Sequence, residues 1–318
     1  MRPTILACLV AAACASAPER IEDAGVSFIP GSVSDQRQPD GNTIVLETAS
    51  GLVVVDTGRH ADHVQMILDL AKAKGRPVAA VFNTHWHLDH IGQNAAVRAA
   101  YPGAAVYSND PALTEALGAF LQRGLARNRT VAADPKADAN AVADAKLGIA
   151  AVENPQALHP TQSIERSQAL TIGGRPIEVH LAQGASAGDL WLYDPKARLL
   201  VAGDLVTLPA PFLDTACPSA WRAEFGRMLA QPFVHFAPGH GRLMSRADVE
   251  SYRAAFDALL DCAAGADAAA DCAAAWSRSA APLLDATTGS AGMAKDYAAY
   301  YVENILRKPE ARPAWCKG

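Results

Sequence analysis

The sequence has no apolar run approaching the roughly 20 residues a membrane-spanning helix needs, so no transmembrane segment is expected. It has no long block of basic residues and no interleaving of lysine or arginine with aromatics. Aromatics are only 6% of the chain and the formal net charge is -5, which argues against nucleic acid as a partner. It lacks a close CxxC pair, which disfavours zinc held by thiolates and redox chemistry. No glycine-rich turn follows a first strand in the form a dinucleotide fold requires, and no repeat of fixed period occurs. What is present is a 318-residue chain, half hydrophobic, with 23 Gly and 20 Pro dispersed along it. That suffices for one large core or two modest ones.

The first residues, MRPTILACLVAAACASAPER, run from one arginine through a short apolar stretch to small residues. This is the pattern of a secretory signal peptide, with cleavage after Ala15 or after Ala17; Pro18 favours the first. A lipid-anchored form at Cys8 or Cys14 is the alternative. Too little apolar sequence precedes Cys8, and Ala11 stands where leucine is usual before Cys14. Residues 1–17 are therefore assigned to the signal and 18–318 to the mature protein, periplasmic or secreted. Removal of the leader leaves Cys217, Cys262, Cys272 and Cys316. Four cysteines in an oxidising compartment allow two disulfides and three connectivities. Cys262 and Cys272 bracket a short segment and suit a local staple; Cys217–Cys316 would then tie the tail to the body.

Strand candidates come in two blocks. VSFIPG, TIVLE, LVVVD, RPVAAVFNT and AAVYSN fall between 26 and 109; ALTIGG, PIEVHLA, DLWLYDP, RLLVAGD and FVHFAP fall between 169 and 238. Residues 61–74 have helical spacing, with Val64, Ile67, Leu68 and Ala71 on one face. An alanine-rich stretch, 111–160, reads as two helices or as a helix and a mobile loop. The chain beyond 245 is helical. Two strand-led blocks with helices between and after them indicate an α/β protein with two sheets.

Chemistry concentrates in NTHWHLDH, residues 83–90. His85 and His87 are two positions apart after a strand and point the same way in extended backbone. Asp89 and His90 open the next helix and can turn back toward the same point. Imidazole and carboxylate together suit zinc or a similar divalent ion. Asp204, closing the strand LLVAGD, and His240, after FVHFAPG, offer further donors. Taken alone, Asp204 would be a turn cap and His240 a loop residue. His60 and His63 read as solvated loop and helix start.

DTG at 56–58, THWHLDH at 84–90, GD at 203–204 and PGHG at 238–241 together resemble the metallo-β-lactamase-fold hydrolases, over roughly residues 24–250. The resemblance implies a four-layer αββα sandwich with a metal site at one edge of the sheets. It implies one metal on His85, His87 and a mid-chain histidine, and a second on Asp89, His90 and His240, bridged by Asp204. Asp56 would support the site without ligating.

The chain departs from that pattern once. Where a Gly-His-Thr/Ser-x-Gly-Asp stretch is usual, it reads Gly184-Ala185-Ser186-Ala187-Gly188-Asp189. Alanine cannot coordinate, and His180, five residues upstream, could serve only after a rearrangement. One firmly held Zn(2+) is therefore expected, with a second weak or absent. The expected activity is hydrolysis of an ester, lactone, amide or related bond in a small molecule, with Asp89, His85 and His87 in the chemistry. The alternative is a catalytically impaired periplasmic binding or accessory protein on the same fold.

Overall fold

The computed structural model describes residues 19–21, 24–34 and 37–316; the expected signal peptide lies outside them. Among the described residues, twelve strands form two sheets. The first holds β1 (Glu19–Ile21), β2 (Val26–Ile29), β3 (Thr43–Thr48), β4 (Gly51–Val55), β5 (Val78–Phe82), β6 (Ala105–Ser108) and β7 (Gln162–Ser163) in that order. It is antiparallel through β4 and parallel from β4 to β7. The second contains β8 (Gln168–Ile172), β9 (Arg175–Ala182), β10 (Asp189–Asp194), β11 (Leu199–Gly203) and β12 (His235–Pro238). Only its β11–β12 pair is parallel. The two strand blocks of the sequence thus become two sheets.

The unbroken apolar runs follow from burial on both faces. Leu52 and Val54 pack with Val64, Ile67 and Ala71 of the helix Ala61–Lys74, whereas Val53 and Val55 turn toward the second sheet. Leu190, Leu192, Leu199 and Val201 meet them from the other side. On the outer face of the second sheet, Trp191, Leu200 and Ala202 are covered by Trp221, Phe225, Tyr252, Phe256 and Trp276. Those five come from the helices Pro218–Leu229, Arg246–Ala264 and Ala269–Ala280. Helix, sheet, sheet, helix is the resulting order, the four-layer αββα sandwich.

The 111–160 stretch is helical in pieces, Asp110–Ala116, Leu117–Leu121, Gln122–Ala133 and Ala139–Glu153, and the last two form a hairpin across which Arg129 meets Glu153. The disulfides are Cys262–Cys272 and Cys217–Cys316. No helix among the described residues is long and apolar enough to cross a membrane. What positions the site is the parallel pairing. The C-terminal ends of β4 and β5 in one sheet and of β11 and β12 in the other deliver Asp56, the segment 83–90, Asp204 and His240.

Candidate metal centre

The six side chains singled out in the sequence, His85, His87, Asp89, His90, Asp204 and His240, come together and are all buried. His90 Nε2 lies 3.3 Å from Asp204 Oδ1 and 3.6 Å from Asp89 Oδ2. His240 Nε2 lies 3.1 Å from Asp89 Oδ2 and 3.5 Å from Asp204 Oδ1. His85 Nε2 is 3.7 Å from Asp204 Oδ2, and 2.8 Å from His87 Nδ1. Asp204 thus stands between two donor groups, His85 with His87 and His90 with His240.

Hydrogen bonds behind the rings fix which nitrogens face inward. Asp56 Oδ1 accepts from the Thr84 amide, and Oδ2 accepts from Thr84 Oγ1 and from His90 Nδ1. With its proton given to Asp56, Thr84 Oγ1 accepts from His85 Nδ1. Thr215 Oγ1 donates to the Ala185 carbonyl and so accepts from His87 Nε2, 3.1 Å away. Every outer nitrogen in this set carries its proton outward. The inward-facing nitrogens are then His85 Nε2, His87 Nδ1 and His90 Nε2, the first two within hydrogen-bond reach of each other at 2.8 Å. His90 Nε2 and Asp204 Oδ1 are buried with no hydrogen-bond partner, an arrangement that costs free energy unless a cation fills it. The donor set therefore fits a zinc-like ion.

Electrostatics agree. Burial, with His90 and His87 nearby, holds His85 well below the ordinary imidazole range, and burial brings His87 down to about 4. Burial would also depress His90 and His240, but Asp204 and the other carboxylates outweigh it and raise both. Burial would raise Asp89 and Asp204, yet the charges of His90 and His240 hold both below the usual carboxylate range. The cluster is anionic carboxylate drawing positive charge into a dry site.

Backbone closeness holds the cluster in place. A Cβ on Gly239 would lie 2.0 Å from Asp204 Oδ1, and one on Gly41 would lie 2.5 Å from the His90 ring, so only glycine admits these approaches. Asn42 ties the two loops together: its side-chain amide donates to the Pro238 and Gly241 carbonyls while its oxygen accepts from the Gly31 amide.

Sequence reasoning did not pick out Asn42, Thr84 or Thr215, whose partners are distant along the chain; the DGN turn at 40–42 was the available signal. It also misplaced two histidines. His60 and His63 are buried, not solvated. His60 is bonded to Asp40 and Asp144, and His63 to Thr43. Asp40 Oδ1 in turn accepts from the backbone amides of Arg59 and His60.

Ala185 is fully buried within the apolar cluster outside the second sheet. Its loop is held by Asp189, which accepts from the Ser186 amide and hydroxyl and which burial pushes up to about 7. His180 is engaged elsewhere: it stacks on Trp191 with centroids 3.7 Å apart and faces Glu178.

A sandwich of two mixed sheets with buried histidines and aspartates at one edge defines the metallohydrolase class of fold. The metallo-beta-lactamase superfamily model matches residues 37–265, and the chain belongs to that superfamily. Among solved structures it is similar to a metallo-beta-lactamase from Pontibacter korlensis, with TM-score 0.56 and 20% identity, over 76% of this chain and 98% of that one. It is also similar to the metallo-beta-lactamase IND-7, with TM-score 0.55 and 19% identity, over 76% and 97%. These likenesses concern the fold. Of curated proteins, a linear primary-alkylsulfatase from Pseudomonas sp. (strain ATCC 19151) is 26% identical over 63% of this chain and 41% of its own length. An atrochrysone carboxyl ACP thioesterase from Passalora fulva is 40% identical over 22% of each. The chain thus spans less than half the length of these curated relatives.

Proposed function

We propose that the chain is an exported hydrolase holding one firm zinc ion, on Asp89, His90, His240 and Asp204. The observation that carries this is the set of inward-facing ring nitrogens and orphaned buried atoms, fixed from behind by Asp56, Thr84 and Thr215. Bound there, zinc would supply an activated water and polarise the scissile bond. The chain's own groups supply the rest. Asp89 Oδ2 faces His240 and Oδ1 faces Arg59 at 3.9 Å; in this reading Oδ1 takes the proton. His85 Nε2 and His87 Nδ1, 2.8 Å apart, position the water or substrate beside the ion. They can hold an oxyanion only after sharing a proton.

The substrate is a small molecule carrying an ester, lactone, amide or related bond. The names of the curated relatives, a sulfatase, a thioesterase and hydroxyacylglutathione hydrolases, span several such bonds. Export is supported by the two disulfides, which need an oxidising compartment, and by the leader-like N-terminus. The mature unit is residues 18–318, with its last helices as an extension to the sandwich.

The test separates the two donor groups. His87→Gln should lower turnover about 100-fold in a panel of esters, lactones, thioesters and amides while zinc content stays unchanged. Loss of zinc in that variant would place the firm ion elsewhere. A second reading, a binding protein with little turnover, is favoured by the apolar packing around Ala185; a zinc-loaded chain inert to the whole panel would select it.

A further inference from the structure

Beside the histidine cluster lies a cavity of about 380 Å³ that the metal chemistry does not use. Trp86 and Thr215 line it, and both touch His87: the Trp86 ring centroid is 4.4 Å from the imidazole, and Thr215 Oγ1 is 3.1 Å from Nε2. Ala112, Ala116 and Ala119, spaced along one helical segment, add only methyl groups to the lining and leave the room open. Another wall is the tail, residues 311–315, which lies beyond the residues matched by the superfamily. Cys217–Cys316 secures that tail, and the Cys217 amide donates to the Gly184 carbonyl at the ligand-deficient loop.

The lining mixes apolar side chains with charged ones at defined places. Arg123 lies over the Phe120 ring at 5.6 Å from its centroid. Arg312, also in the lining, donates through one terminal nitrogen to the Leu306 carbonyl. Of the acids in the lining, Asp214 accepts from the Tyr300 and Tyr301 hydroxyls, and Glu115 is exposed. Two guanidinium groups in the lining, beside alanine methyls and the Trp86 and Phe120 rings, suit an anionic oxygen attached to an apolar body.

We propose that this cavity binds an apolar chain or ring ending in an anionic group, and that the disulfide-held tail makes it specific to this chain. As the subsite of a substrate it rests on the hydrolase reading; as a binding site it does not. Isothermal titration of the mature protein with sodium decanoate, metal-free and zinc-loaded, tests it. Decanoate should bind at least tenfold tighter than butyrate, and decyltrimethylammonium should not compete. Ala119→Trp, which fills the hollow, should weaken decanoate at least tenfold, and Arg312→Gln several-fold, each with an unchanged unfolding midpoint. No decanoate binding, or equal binding by Ala119→Trp and the parent, would overturn the proposal. Zinc content on the same samples keeps the readings apart. Decanoate bound by a chain that takes up no zinc sinks the hydrolase and leaves the pocket. Zinc and turnover without decanoate binding do the reverse.

Discussion

Asp56 touches no inward-facing atom of the cluster, yet it sets two of them. It accepts from Thr84 twice and from His90 once in a buried position. Asp56→Asn would turn one acceptor into a donor facing another proton. It should cost about 2–4 kcal/mol in urea unfolding, and zinc affinity should fall about 10- to 100-fold in a chelator competition. Ala185→His is the converse change. The loop's own bonds from Asp189, Cys217 and Thr215 do not depend on the side chain at 185. The variant should gain a second zinc by elemental analysis, at about 1–3 kcal/mol of overpacking against the apolar cluster. At this scale the sequence is legible where the chemistry is local. His85, His87, Asp89 and His90 fall within six residues, and their spacing alone brings them together. The partners that fix their tautomers are not legible, because Thr215 meets His87 across 128 residues.

The elements were readable where burial was two-sided. Runs such as LVVV identify strands because both faces are apolar, and β4 appears where those residues stand. The segment 205–221 carries prolines at 209, 211 and 218, which obscure any periodicity there. Pro218 in fact opens the helix Pro218–Leu229, a position where its missing amide costs nothing. Between elements, His60 links the segment holding Asp40 to the helix Ala139–Glu153 through Asp144, 84 residues away. Burial works against its protonation, but the bonds to Asp40 and Asp144 raise its pKa above the ordinary 6.5. Its contribution is therefore complete below pH 6.5 and lost as pH rises through the raised value. Burial of Asp40 is outweighed by His60 and His63, which lower it from 3.8 to about 2, so its contribution is present above 3.8 and lost as pH falls through about 2. His60→Gln should cost about 1.5–3 kcal/mol between roughly pH 4 and 6.5, with the gap to the parent closing at higher pH in urea titrations.

For the whole molecule, the two-block rhythm of strands becomes two facing sheets, and the cysteine pairing spans very different distances. Cys217–Cys316 closes a separation of 99 residues and Cys262–Cys272 one of 10. In the chain-entropy model a loop of about 100 residues is worth about 4.7 kcal/mol and one of about 15 about 3. Replacing the first pair by serine should therefore destabilise by about 1–2 kcal/mol more than replacing the second, read from unfolding midpoints. The tail cavity was not legible, since it needs Trp86, the 112–120 segment and residues 311–315 in one place. The superfamily assignment fixes a scaffold, and the donors at 85–90, 204 and 240 set how many ions it retains. Elemental analysis of the mature protein after zinc loading and dialysis answers that directly. About one zinc per chain, lost when His90 or His240 is replaced by alanine, is the expected result; no retained zinc would contradict the account.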